Sequence, residues 1–249
     1  SSRGWYDTVN NTSLLLDRSQ VVSGDRILTG DSIAYNRELG FGEAFGNMSL
    51  QDTAQHVMLE GQYGFYNEKT EYAFATDSAR FLEFSQGDTL FLHGDTLKMT
   101  TVDSLYREVK AYYGVRFYRT DMQGVCDSLI YFSKDSTIQL YKDPVIWSDI
   151  SQLTADFIEM INNDVPPNEV HLKENSFIIQ ELDSMKYNQI KGKDMVGFID
   201  STNNLYRINV NGNGQSIYYP EDDKEYIGTN KAESSNIVLY LEDNFEIFS

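Results

Sequence analysis

Apolar and polar residues alternate along most of this chain, in short runs of the kind that form strands buried on one face. In Ala44-Phe45-Gly46-Asn47-Met48-Ser49-Leu50, residues Ala44, Met48 and Leu50 fall on one side, and Asn47 and Ser49 on the other. The same alternation runs through Tyr113-Gly114-Val115-Arg116-Phe117-Tyr118-Arg119 and Thr137-Ile138-Gln139-Leu140-Tyr141. Polar turn clusters separate the runs at Asn67-Glu68-Lys69, Ser133-Lys134-Asp135-Ser136, Asn162-Asn163-Asp164 and Asp200-Ser201-Thr202-Asn203-Asn204. Many short strands bounded in this way, roughly ten residues apart, predict a sandwich, a jelly roll or a solenoid. A helix competes only over residues 152–163, where Leu153, Ala155, Phe157, Ile158 and Ile161 share a helical face. The turn that follows keeps this stretch in step with the other runs, so it is read as strand.

A short phrase recurs within these runs: usually a small residue, then Asp, then a strand-like segment. It reads Gly30-Asp31-Ser32-Ile33-Ala34-Tyr35, Thr76-Asp77-Ser78-Ala79-Arg80-Phe81 and Gly94-Asp95-Thr96-Leu97-Lys98-Met99. It returns as Cys126-Asp127-Ser128-Leu129-Ile130-Tyr131, Ala155-Asp156-Phe157-Ile158-Glu159-Met160 and Lys193-Asp194-Met195-Val196-Gly197-Phe198, with a looser copy at Ala232-Glu233-Ser234-Ser235-Asn236-Ile237. From Asp95 onward the anchors lie roughly 30–40 residues apart, the range of stacked repeat architectures. Each Asp is expected to open a strand after a turn and to bond local backbone there, a commoner role than holding a metal.

Composition narrows the function. Hydrophobic residues make up 41% of the 249, with 17 Tyr and 14 Phe, enough for a core with a strong β preference. The 20 basic residues against 38 acidic ones leave a net charge of −18, the wrong balance for neutralising nucleic-acid phosphates or an anionic membrane surface. That charge reads as a solvating surface. The single Cys126 has no partner for a disulfide or a cysteine zinc site and is expected as a packed core thiol. His56, His93 and His171 lie far apart, without metal-ligand spacing. No Gly-x-Ser-x-Gly elbow, His-Glu-x-x-His or P-loop occurs. A two-carboxylate glycosidase is a distant alternative, since so many acids make pairs unavoidable. No stretch approaches the roughly 20 apolar residues that span a bilayer.

The repeating unit has two halves. After the Asp phrase and a turn, a second run carries a small residue before an apolar one, as in Ala44-Phe45-Gly46-Asn47-Met48 and Ala111-Tyr112-Tyr113-Gly114-Val115. Further examples are Leu59-Glu60-Gly61-Gln62-Tyr63-Gly64-Phe65 and Asn209-Val210-Asn211-Gly212-Asn213-Gly214. This pattern resembles the OstA-like, or LptA-like, family of lipopolysaccharide transport. It covers the chain from about Gln20 to the end, and the Lys231-Ala232-Glu233 unit resembles copies in Bacteroidetes members. The chain departs from the family pattern in spacing, about 46 and then about 18 residues between the first three anchors. It departs again where Lys142-Asp143-Pro144-Val145 lacks the glycine.

The resemblance implies an all-β fold, an elongated β-jelly roll of stacked antiparallel strand repeats. It implies one domain over residues 1–249; the chain shows no linker of convincing length, and its weakest joint, over residues 145–152, puts any subdivision near residue 150. It further implies a non-catalytic periplasmic protein, working without a cofactor, that binds lipopolysaccharide and shields its acyl chains between two β-sheets. Lipid would be relayed toward the outer membrane. Other OstA-like transport proteins, or a second copy, would join end to end by edge-strand pairing. Large apolar residues on the inward register are the groove candidates: Ile33, Tyr35, Met48, Leu50, Leu97, Met99, Val115, Phe117, Leu129, Tyr131, Ile138 and Leu140. The alternative is an assembly module whose edge strands mediate protein contacts around a filled interior. The chain opens at Ser1 with no signal peptide and closes on Asn244-Phe245-Glu246-Ile247-Phe248, so a trimmed chain is expected.

Overall fold

The computed structural model describes residues 3–84, 88–103, 106–201, 205–222, 225–241 and 247–248. It is all-β: antiparallel strands follow one another in chain order, and the described residues contain no helix. The chain divides into two compact units, Ser1–Thr120 with Ser128–Phe132 and Asp121–Asp127 with Ser133–Ser249. The 145–152 segment lies inside the second unit as a β-hairpin.

The first unit is built from long strands: β1 (Arg3–Asp7), β2 (Thr12–Ser23), β3 (Arg26–Asn36), β4 (Phe41–Asp52), β5 (Val57–Asn67), β6 (Tyr72–Glu83), β7 (Leu90–Val102) and β8 (Tyr106–Arg119). Each pairs antiparallel with the next. β9 (Met122–Phe132) is shared between the units. Halfway along, the register slips at Leu16/Ser19, Thr29/Ser32, Phe45/Met48, Glu60/Tyr63, Thr76/Ala79 and His93/Thr96. Alternate strands carry two consecutive residues of positive φ at the slip: Asp17 and Arg18 (64° and 45°), Gly46 and Asn47 (71° and 46°), Asp77 and Ser78 (61° and 62°). Stacked bulges of this kind bend every strand at the same level. The sheet therefore folds over itself along a corner, giving two facing arms.

One arm holds residues 19–23, 26–29, 48–52, 57–60, 79–83 and 90–93; the other holds 12–16, 32–36, 41–45, 63–67, 72–76 and 96–102. Arg26 and Tyr66 show that the arms meet. Arg26 is in register with Asp52 and Asp52 with Val57, nine residues from Tyr66 along β5. A flat strand would put them about 30 Å apart, yet the Arg26 guanidinium donates to the Tyr66 hydroxyl.

The core follows from this bend. Small residues line the corner on its inner side, among them Ala44, Ala75, Ala79 and Ala111, all without exposure. Larger ones, such as Leu28, Leu59, Phe81 and Val109, fill the arms beyond it and are buried.

The second unit reaches a similar arrangement with shorter strands. These are β10 (Thr137–Tyr141), β11 (Val145–Ser148), β12 (Ser151–Thr154), β13 (Phe157–Ile161), β14 (Asn168–Lys173), β15 (Ser176–Glu181), β16 (Tyr187–Gly192), β17 (Asp194–Ile199) and β18 (Leu205–Tyr218). A small hairpin, β19 (Glu221–Asp222) and β20 (Glu225–Tyr226), precedes β21 (Asn230–Leu241) and β22 (Ile247–Phe248). β11, β12, β15, β16 and the end of β18 form one row. β10, β13, β14, β17 and the start of β18 form the other. The chain switches rows where Lys142, Asp143, Glu174 and Asn175 take positive φ, and β18 crosses at Gly212 and Asn213. Leu140, Ile158, Leu172, Met195, Ile208 and Val210 are buried between the rows. The 152–163 stretch is strand, split between β12 and β13. Thr202-Asn203-Asn204, Asp223-Lys224 and Asn244-Phe245-Glu246 lie outside the described residues.

Candidate functional site

The interior between the arms is the candidate site, because the alternation aims the apolar residues of each strand into it. Ile33, Met48, Leu50, Leu97, Met99, Val115, Phe117, Leu129 and Leu140 are buried; Tyr35, Tyr131 and Ile138 are half-buried. In the first unit the ladder brings Ile33 against Ala44, and Leu97 against Ala75 and Ala111. Ile138 and Leu140 lie on β10 in the second unit, so the candidates divide between two interiors.

These interiors are interdigitated. A methyl group placed on Gly42 would stand 2.8 Å from Leu28 Cδ2, which reaches across from the facing arm. In the second unit the corresponding position on Gly192 is 2.4 Å from Val210 Cγ1. The arms pack by matching bulk to glycine, as in a close-packed core.

Of the six recurring Asp residues, Asp194 opens β17 and Asp156 immediately precedes β13 as expected, while the other four lie elsewhere. Asp31, Asp77, Asp95 and Asp127 sit within long strands, at the corner, and do not open strands after turns. Asp31 is met by side chains of both neighbouring strands, Asp95 by the hydroxyl of the adjacent Thr96, and others by side chains where the chain switches rows. Asp31 accepts from Asn47 Nδ2 at 2.8 Å and from Arg18 Nη1 at 3.4 Å, while Arg18 also donates to the Asn47 carbonyl at 2.6 Å. Lys142 is 3.2 Å from Asp127. Asn175 donates to both oxygens of Asp156 at 3.1 Å, and the Glu174 N–H to Asp194 at 3.0 Å. The repeat is a structural device: a polar outer ridge that ties the bent segments to one another.

No group of three or more His, Cys, Asp or Glu among the described residues is placed to hold a metal. His171 Nε2 lies 2.6 Å from Glu169. Cys126 is buried, and that burial pushes its thiol up to about 12, far from a nucleophile's range.

The open side of the first unit, opposite the corner, holds residues that the apolar pattern alone does not single out. Arg26, Asp52 and Glu83 occupy inner-face positions two residues beyond Leu28, Leu50 and Phe81. Facing them are Tyr66 and Glu71, with Arg107 near enough to be attracted by Asp52 and Glu83. Their signal in the sequence is a charge where the inward alternation calls for an apolar residue. At the ends of the strand order, residues 19–23 of β2 pair only with β3, and β22 covers only Tyr240 and Leu241 of β21, among the described residues. Trp5, Val22, Val238 and Tyr240 are exposed near these edges.

No protein-family model matches the chain, and a search of curated proteins returns no match either.

Proposed function

We propose that the protein is a non-catalytic periplasmic lipopolysaccharide-binding and transport protein that takes acyl chains between its β-layers. The observation that carries this reading is the apolar inner face, running strand by strand from Ile33 and Ala44 to Val115 and Leu129. Such a face can shield an alkyl chain at about 0.8 kcal/mol per buried methylene. The head group stays in water. Since Ile33, Leu97 and Val115 have no exposure, acyl chains enter only if the arms part.

Thermal unfolding with purified lipopolysaccharide, against a short-chain detergent control, tests the reading. A saturable rise in midpoint specific to lipopolysaccharide is expected from mass action. A photo-crosslinking residue at half-buried Tyr35 should then capture lipid, and one at outward Phe45 should not. No midpoint shift at saturating lipid overturns the reading.

The complete burial of those same residues favours a second reading, an assembly module with a filled interior. Its contacts would run through residues 19–23 of β2 and the part of β21 before Tyr240, whose outer edges have no strand partner among the described residues. An unshifted midpoint together with concentration-dependent association would support it.

A further inference from the structure

We propose that a reciprocal ionic clasp, with Arg26 on one arm and Arg107 on the other, holds the open side of the first unit shut and gates entry to its interior. Each arginine faces acids of the opposite arm. Arg26 donates to the Tyr66 hydroxyl, lies 3.6 Å from Glu71 and places its guanidinium 5.2 Å from the Tyr66 ring centre. It also holds Asp52 of its own arm at 3.5 Å. Arg107, on the other arm, is attracted by Asp52 and Glu83 and repelled by Arg26, so the acids sit between two like charges.

These charges are partly withdrawn from water, Asp52 the most, and Glu71 less than Arg26. Asp52 is 5% exposed. Burial pulls Arg107 below its ordinary pKa despite its acidic neighbours. Burial works against Arg26 as well, but Tyr66, Glu71 and Asp52 together hold it above its ordinary value. Apolar residues at this seam would hold the arms together at no desolvation cost. They would also make parting the arms expensive, because opening would wet them. An ionic seam behaves differently: its groups recover their hydration when the arms part, which offsets the breaking of the ion pairs. A seam of this composition closes the interior specifically while keeping the closure reversible.

The clasp does not depend on what enters, so it is tested without ligand. In the full chain, Cys126→Ser removes the native thiol and Met99→Cys supplies a reporter on the inner face, where Met99 is 8% exposed. The alkylation rate then reads the opening equilibrium. Arg26→Gln with Arg107→Gln should raise that rate about tenfold or more, beyond what any fall in urea stability accounts for. Arg80→Gln, which removes an ion pair to Glu60 at 2.9 Å on the outer face, should leave it unchanged. If the double variant does not fold, Glu71→Gln weakens the same seam from its rim and is read in the same way. An unchanged rate, or one that follows global unfolding alone, overturns the clasp.

Discussion

Replacing Gly64 by Ala tests whether the small residues at the corner are a packing requirement. Gly64 lies on the inner face of β5, opposite Ala44 and Ala75. An added Cβ would stand 2.3 Å from the Phe74 carbonyl oxygen, 3.0 Å from Met48 Cε and 3.1 Å from Met48 Sδ. Met48 is flexible and can give way. The Phe74 carbonyl is main chain in the neighbouring strand, so the ladder itself must shift. Overpacking of this kind costs about 1–3 kcal/mol, against about 0.5–1 kcal/mol gained by removing a strand glycine. The central expectation is a loss of about 1 kcal/mol, read as a lower urea midpoint by far-ultraviolet circular dichroism. Two comparators separate the causes. Gly228 is exposed with nothing within 4 Å, so Ala there should be neutral. Gly114 also has space, but its φ of +60° strains any side chain, so Ala should cost about 1–2 kcal/mol. A Gly64→Ala protein as stable as the parent would refute the reasoning, since the corner would then have room for a methyl group.

Three further outcomes are expected. Cys126 should resist iodoacetamide at pH 8 in the folded protein and react on unfolding, because its buried thiol titrates at about 12; rapid native labelling would contradict its placement. Asp7, Asp88 and Asp183 are held below the usual carboxylate range, first by the side chains of Asn10, Thr120 and Lys186 respectively, and then by turn N–H groups. The stability they add is complete above the ordinary carboxylate pKa and drains as pH falls through the depressed folded values. The triple Asp→Asn variant should therefore show a flatter acid decline in urea midpoint, and an identical decline would show that these turns contribute nothing to it. Finally, an anionic lipid bound by a chain of net charge −18 through its acyl groups should bind more tightly as salt rises from about 0.01 M to about 0.15 M, where screening shortens to about 8 Å. Weaker binding with salt would point to a cationic recognition patch.

The alternation carried the fold class because a strand buried on one face writes a period of two directly into the chain. Ala44, Met48 and Leu50 all face inward as that pattern implies, even with a bulge between Phe45 and Met48. The Asp phrase was visible too, but its meaning was not. A polar residue after a small one looks the same at a turn and at a mid-strand bend. Only the register slips, which depend on the neighbouring strands, tell them apart. The clasp was hidden for a further reason: Arg26, Asp52, Glu71 and Arg107 are joined by the folding-over of the sheet, and no local spacing links them.

The two units close their open sides with different chemistry at equivalent positions. In the second unit the inner-face residues two beyond Leu153, Ile178 and Ile190 are Ser151, Gln180 and Asn188, all buried. Asn188 donates to the Gln180 amide oxygen at 2.8 Å and accepts from the Tyr219 N–H at 3.2 Å. The first unit places Arg26, Asp52 and Glu83 at the matching step. A polar seam therefore follows the last apolar layer in both, neutral in one and ionic in the other. In the first unit the corner is crossed by continuous main chain in each of β2 to β8, whereas among the described residues the seam is drawn together by side chains. Widening that interior must accordingly turn about the corner and break the seam. Resistance to opening then has two parts, the wetting of the interdigitated apolar core and the side-chain interactions of the seam, and single substitutions can change the second while the strand ladder stays whole.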